Sequence, residues 1–467
     1  MTPPHQQAAA SGPAAGTLVR PRPADPSRRR IAVVGAGVSG LTAAYVLRRQ
    51  ARVTLYEAAH RLGGHAHTHQ LSEADGVPFG VDSGFIVHND RTYPLLRKLF
   101  DELGVPTQPT EMSMSIWHQR TGLQYAGGKG FGGILAQPGR LVSPPFLRML
   151  GHVVRFHRLA ARHLAAVDPM SSDLSYADFL ALHRFPRSFV ELYAVPVVSC
   201  VWSCAAEAAL EYPAAFLFRF LDHHGMLSIG DSPRWRTIPG GSASYVQRLA
   251  ARLDDVRSGS KVTQIRRMPS GSGAGPGDAG TGAGGGGAGG GVEITDGNGQ
   301  LERFDAVVIA THADEAISLL ADPTPLEQRV LGAFSYSTNH TVLHTDASLL
   351  PGARRAKASW NFLIPRDAAP GAAPVVTYWM NKLQRLQASR QYLVTLNGRE
   401  RVRDSSVLAE MEYRHPLYDN ASHQARRRLP ELASERTVFA GAYHGWGFHE
   451  DGCRSGVQAA ERLGVPW

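Results

Sequence analysis

The stretch that decides the fold runs Ile31-Ala32-Val33-Val34-Gly35-Ala36-Gly37-Val38-Ser39-Gly40-Leu41 and continues to Arg52-Val53-Thr54-Leu55-Tyr56-Glu57. Ile31–Val34 is a short apolar run of strand type. Gly35–Gly40 is a glycine turn. Leu41–Arg49 has helical spacing, with Leu41, Ala44, Tyr45 and Leu47 apolar. Arg52–Glu57 is a second strand. A β-turn-α-β unit this short, with G-x-G-x-x-G at its turn, is a dinucleotide site. Gly35 permits the tight turn, Gly37 lets backbone approach a pyrophosphate, and Gly40 lets helix and strand pack closely. The helix start at Val38 and Ser39 offers free N–H groups and a positive dipole end to phosphate. Glu57, twenty residues after Gly37, is placed to accept hydrogen bonds from an adenosine ribose, and an acid there disfavours a 2′-phosphate.

The chain has 467 residues, 43% of them apolar, enough for a large core and an enclosed site. No run of about 18 unbroken apolar residues reads as a membrane span. Cys200, Cys204 and Cys453 are too few for a disulfide framework and fit a reducing cytoplasm. The net charge is +9. Part of it sits in residues 1–30, a basic segment rich in Pro and Ala that reads as a disordered tail. The glycines that follow at dinucleotide spacing argue against a secretory signal. The arginines are scattered and no nucleic-acid motif accompanies them.

Farther along, helices are expected over 91–104, 145–166, 242–254 and 455–463. Residues 188–222 are mostly apolar and interrupted by Pro196 and Pro213. Strands are expected at 261–266, 292–295, 304–310 and 437–440. Residues 270–291, nearly all Gly, Ala and Ser, read as a flexible insert in a hairpin. Alternating stretches near 339–345, 374–380 and 391–396 point to a second sheet.

Arg61-Leu62-Gly63-Gly64 extends the first motif. The pattern Glu57-x-x-x-Arg61-x-Gly63-Gly64 resembles the fingerprint of FAD enzymes similar to amine oxidases and phytoene desaturases. The resemblance implies FAD, with Arg61 and the Gly63–Gly64 backbone against the pyrophosphate and ribityl chain. Lys261–Ile265 looks like the strand whose Val262 touches the adenine, and Asp305–Thr311 like the strand ending near the flavin. Phe439-Ala440-Gly441, followed by Gly452-Cys453-Arg454-Ser455-Gly456, resembles the closing motif. There a glycine turn and a helix N-terminus, at Gly441, Gly452 and Gly456, would meet the flavin edge. Ala442 stands where many relatives carry an acid for the ribityl hydroxyls, and Asp451 is the candidate substitute.

Four segments resemble a narrower bacterial group of predicted NAD/FAD-binding proteins: Asp82–Asn89, Trp235–Ser242, Thr377–Asn381 and Gly441–Gly452. That group is associated with cyclopropane and methyl-branched fatty-acid genes, which implies a lipid acyl substrate. The expected fold is α/β. A discontinuous Rossmann-like FAD-binding domain of the glutathione reductase type takes in 31–110, 232–320 and 430–467. An inserted α+β substrate domain, amine-oxidase-like, takes in 111–231 and 321–429.

The implied activity is hydride transfer from a C–H bond of a lipid-like, fatty acyl substrate to flavin N5, giving desaturation. Two alternatives stay open: a flavin amine oxidase, and a non-catalytic FAD-binding partner of a lipid-modifying methyltransferase. Tyr378, His444 and Trp446 are the substrate-pocket candidates, with Tyr378 and Trp446 able to form an aromatic cage or an acyl channel. No residue stands out as a general base. His65, His67 and His69 alternate but lack a carboxylate at metal-site spacing. Cys200 and Cys204 read as apolar packing, and Cys453 as a remote candidate for a thioether to flavin. The helix over 145–166 sets Arg148, Arg155, Arg158 and Arg162 opposite its apolar face. It is read as core-facing with a solvated basic face, with peripheral contact at the inner membrane face as the other reading.

Overall fold

The computed structural model describes residues 27–74, 76–128, 130–167, 172–227, 232–269, 290–367 and 371–467. The expected tail up to Pro26 and the insert over 270–289 lie outside the described residues.

Strand β1 (Arg30–Val34) leads through the glycine turn into helix α1 (Val38–Leu47) and strand β2 (Arg52–Tyr56). Strands β3 (Asp255–Arg257), β4 (Ala306–Ile309) and β5 (Thr437–Phe439) complete a parallel sheet in the order β3-β2-β1-β4-β5. Both faces of that sheet are covered, so its strands read as nearly continuous apolar runs. One face holds Ile31, Val33, Leu55 and Val308 against α1, the helices Pro94–Leu103 and Ala243–Ala250, and helix α2 (His449–Arg462). The other holds Ala32, Val34, Val307 and Ile309 against the antiparallel strands Val262–Arg267, Val292–Asp296 and Leu301–Phe304. Three helices, Ala313–Leu319, Pro325–Leu331 and Asn420–Arg428, close that face.

Every residue of α1 is buried. Two glycines of α2 make this possible. A Cβ on Gly456 would lie 2.3 Å from the Ser39 carbonyl oxygen, and one on Gly452 would lie 2.5 Å from Val38 Cγ1. Gly452 and Gly456 are therefore contact points between two helices. The expected turn and helix start at 452–456 are corrected: α2 begins at His449, because the Asp451 carboxylate accepts hydrogen bonds from Phe448 N (3.1 Å) and Trp446 N (3.0 Å) and caps it.

A second sheet of seven strands stands beside the first. Its order is Val407–Pro416, Tyr336–His344, Leu393–Leu396, Val375–Trp379, Trp360–Ile364, Met114–His118 and Leu123–Gly127. A helical lobe packs on it. There Phe156 of the helix Pro144–Ala166 meets the rings of Phe179, Phe185, Phe189 and Phe218. Pro213 sits just before Ala214–His223 and marks its start, whereas Pro196 lies inside a continuous helical run from Arg187 to Trp202, directly after a π-helical segment at Val190–Ala194. Among the described residues no helix is long and apolar enough to cross a membrane.

Asp82, fully buried, ties the parts together. Its carboxylate accepts from Ser242 N (2.9 Å), Ser242 Oγ (2.8 Å), Thr68 Oγ1 (2.5 Å) and Gln384 Nε2 (3.0 Å). Burial outweighs these bonds and pushes its carboxyl up to about 6. The folded state then holds a proton that the unfolded chain releases at lower pH. Stability from Asp82 is present in full below about pH 4 and is lost as pH rises to about 6.

Two expectations follow. Gly456→Val should destabilise the protein by about 1–3 kcal/mol through the forced separation of α1 and α2, read as a lower urea midpoint. An unchanged midpoint would show that the helices do not touch as described. In the second, the midpoint difference between the wild type and Asp82→Asn should move in favour of Asn between pH 4 and 6, then level off. A difference constant over that range would show that Asp82 does not titrate there.

Candidate functional site

The turn between β1 and α1 is shaped by contacts that exclude side chains. Gly35 has φ +99°, and a Cβ on it would lie 2.8 Å from the Ala310 carbonyl oxygen. A Cβ on Gly40 would lie 1.8 Å from the Gly35 carbonyl oxygen. Gly37 differs: a Cβ there would meet no protein atom within 4 Å. Gly37 precedes α1 and no side chain caps that helix, so the N–H groups of its first turn face the same open space.

A second glycine loop closes over the first. Gly63 N donates to the Ala36 carbonyl (2.8 Å), and a Cβ on Gly64 would approach Gly37 Cα to 3.2 Å. Gly63 and Gly64 have φ of +105° and +56°. Arg61 anchors this loop from within, donating to the carbonyls of Ala66 (3.2 Å) and Leu62 (3.3 Å). Glu57 Oε2 accepts from Ala36 N (2.8 Å) and Oε1 from Ala59 N (2.9 Å), which leaves each oxygen a further lone pair. Ser260 N donates to the Glu57 carbonyl, so the strand that starts at buried Val262 leaves from beside Glu57. Residues 35–40, 57, 61–64 and 262 thus converge.

At the other end, Gly441 leaves β5 and its N–H donates to Ser455 Oγ of α2 (2.9 Å). The turn spans Gly441–Gly447. A Cβ on Gly441 would lie 2.2 Å from the Tyr443 ring, and one on Gly445 would lie 2.1 Å from Asp451 Oδ1. Asp451 is occupied as the cap of α2, which corrects its reading as a substitute for the missing acid at Ala442. Glu450 is committed too, accepting from Leu95 N (3.2 Å) and Leu96 N (3.0 Å) at the start of a neighbouring helix.

Between these ends lies a group of half-buried histidines. The His65 ring is 5.0 Å from Tyr413, 5.3 Å from His415 and 6.3 Å from His312. His449 stacks on Phe85 at 3.8 Å, and His444 lies 4.7 Å from Tyr443. The Nε2 atoms of His65, His444 and His449 are buried with no hydrogen-bond partner. Burial holds these imidazoles neutral, pushing His444 and His415 down to about 4 and His449 to about 3, with His65 well below its usual range. His69 Nε2, Ser83 Oγ, Tyr413 OH and His67 Nδ1 form a hydrogen-bonded chain, with links of 2.9, 2.7 and 2.9 Å. Among the described residues no group of three His, Cys, Asp or Glu is placed to hold a metal. Tyr413 and His415 gave no local signal in the sequence. His312 directly follows the strand expected to end near the flavin.

Tyr378 packs edge-on against Trp360 at 5.3 Å, while Trp446 stacks on Phe216 at 5.8 Å and donates Nε1 to the Phe216 carbonyl (3.3 Å). No ring contact joins Tyr378 to Trp446 among the described residues, so the two do not form the expected pair. Trp446 instead lines a cavity of about 390 Å³ with Tyr93, Phe220, His224, Phe448 and Arg454. Cys200, Cys204 and Cys453 are all buried, and burial raises all three thiols, Cys204 and Cys453 to about 12. Cys453 belongs to the core between α2 and the parallel sheet.

A doubly wound parallel sheet with a glycine cradle, backed by a second sheet over the site, defines a dinucleotide-dependent oxidoreductase fold. Residues 38–464 match the family described as flavin containing amine oxidoreductase, and the chain belongs to that family. It is an FAD-dependent oxidoreductase.

Solved structures of similar fold include the cyclohexylamine oxidase of Brevibacterium oxydans IH-35A. Its TM-score is 0.65 and its identity 16%, over 93% of this chain and 98% of that one. The CLA-producing fatty acid isomerase of P. acnes matches with TM-score 0.65 and 16% identity, over 94% and 100%. A putrescine oxidase bound to putrescine matches with TM-score 0.63 and 16% identity, over 93% and 98%. A search of the curated proteins found no match.

The residues present fit FAD. The space at Gly37 and the free N–H groups of α1 suit a pyrophosphate, Glu57 suits a ribose, and unpartnered imidazole nitrogens await polar partners between the two glycine turns. Gly37→Val should therefore leave the fold intact, with unchanged far-ultraviolet circular dichroism, yet purify with at least about tenfold less bound flavin. Full flavin content in that variant would place the pyrophosphate elsewhere.

Proposed function

We propose that the enzyme oxidises a C–H bond of an apolar, lipid-like acyl chain and leaves it desaturated. The observation that carries this reading is the cavity beside the Gly441–Gly447 turn. Tyr93, Phe220, Trp446 and Phe448 give it an aromatic wall, and Arg91 and Arg454 stand among its lining residues. Rings of this kind hold an alkyl chain and keep water out. FAD, when bound, supplies the two-electron acceptor for the departing hydride.

The side chains of this chain supply a neutral surround. Burial keeps His65, His415, His444 and His449 uncharged. The two acids of the cavity wall hold helix starts and pair with Arg454. The fold is shared with a protein titled a fatty acid isomerase as well as with amine oxidases, so fold alone does not choose between them. The aromatic lining of the cavity supports the acyl substrate. FAD-binding residues are proposed at Gly35, Gly37, Val38, Ser39, Gly40, Glu57, Gly63, Gly64, Val262 and Gly441, with Arg61 positioning their loop.

An anaerobic reduction screen tests the reading. Flavin absorbance of the holoenzyme near 450 nm (about the usual flavin band for such cofactors) should bleach with long-chain fatty acids or their esters and not with primary amines. Bleaching by amines alone would make the enzyme an amine oxidase. No bleaching by either, with tight retention on a lipid methyltransferase, would favour a partner role.

A further inference from the structure

We propose that the outer face of the helix Pro144–Ala166, with the neighbouring turn at Leu182–Arg184, docks the protein on an anionic lipid bilayer. No acidic residue occurs between Glu111 and Asp168, while Arg120, Lys129, Arg140, Arg148, Arg155, Arg158 and Arg162 fall in that interval. The helix turns one side, with Phe146, Met149, Phe156 and Ala160, into the ring cluster. Its other side is where the arginines go. Leu147 and Val154 are two turns apart, and Arg158 and Arg162 continue the same stripe.

That stripe also exposes apolar side chains. Leu147 is 47% exposed, Val154 40%, Val142 just before the helix 83%, and Leu182 67%. These are four of the seven large apolar side chains exposed among the described residues. Leu182 belongs to the same surface, because Arg155 donates to the carbonyl of the next residue, His183 (2.7 Å). Arg148 donates to the Pro144 carbonyl, and Arg155 lies over the Phe185 ring at 4.9 Å. No salt bridge among the described residues engages Arg148, Arg155, Arg158 or Arg162.

A basic stripe without acids repels itself, and exposed leucine and valine on it gain nothing from water. An anionic interface answers both. Headgroup phosphates neutralise the guanidinium groups while Val142, Leu147, Val154 and Leu182 enter the headgroup–acyl boundary. The helix lies on the surface and does not span it. The inference rests on this surface alone and stands whether or not the substrate is a lipid.

Sedimentation of the full-length holoprotein with vesicles tests it. The protein should bind vesicles rich in phosphatidylglycerol, release from them with added salt, and ignore pure phosphatidylcholine. Each arginine near an anionic surface contributes about fivefold in partitioning. Arg158→Gln with Arg162→Gln should therefore weaken binding about 25-fold. Leu147→Ser with Val154→Ser should weaken it as well, and flavin content per chain reports that the variants are folded. Arg20→Gln with Arg22→Gln, in the amino-terminal segment, should leave binding within about twofold, the size of ordinary context dependence. The proposal is overturned by absent vesicle binding, by loss through Arg20 and Arg22 alone, or by duplex DNA binding in place of vesicles.

Discussion

One contact admits nothing larger than hydrogen, and much of the structure depends on it. At Gly40 a Cβ would sit 1.8 Å from the carbonyl oxygen of Gly35. Helix α1 can therefore lie directly against the end of β1, with its first turn aimed into the space at Gly37. A helix so close to its sheet must be covered on its outer side, and α2 does this some four hundred residues later in the chain. The same steric demand recurs there: Gly452 and Gly456 let α2 approach until only backbone and small side chains separate the two helices. Because α1 is enclosed on every side, it has no polar face, and its sequence shows no amphipathic stripe.

The steric origin of these glycines explains what the sequence could reveal. In the first motif the glycines answer to contacts within a few residues, so their spacing alone exposes the β-turn-α unit. Arg61, Gly63 and Gly64 are as legible, since their loop folds back on the first turn through Gly63 N and Ala36 O. The closing motif was harder. Gly452 and Gly456 look like turn residues in sequence, yet they sit in mid-helix because a distant helix requires it. The local signal for the true helix start was Asp451 three residues after Phe448, a capping arrangement that is easily read as a ligand contact.

The histidine cluster lay beyond sequence reading for a different reason. His65 comes from the second glycine loop, His312 from the end of β4 and His415 from the edge strand of the other sheet. Their meeting depends on how two sheets face each other, and no periodicity encodes that. The aromatic pair expected from Tyr378 and Trp446 failed on the same ground. Tyr378 is fixed by the second sheet and Trp446 by the helical lobe, and the packing of each satisfies a different cluster.

The site's charges follow a consistent division of labour. Glu57 holds Ala36 and Ala59, Glu450 and Asp451 hold helix starts, Asp82 holds Ser242 and Thr68, and Arg61 holds carbonyls of its own loop. Every one of these charged groups is engaged with backbone or with the frame, so they position the turns more than they meet a substrate. What remains between the turns is uncharged: imidazoles kept neutral by burial, tyrosine hydroxyls and aromatic rings. In a low-dielectric pocket an unpaired charge on a substrate would lose its hydration with nothing to replace it. An apolar group avoids that cost, in line with the acyl substrate proposed for the cavity.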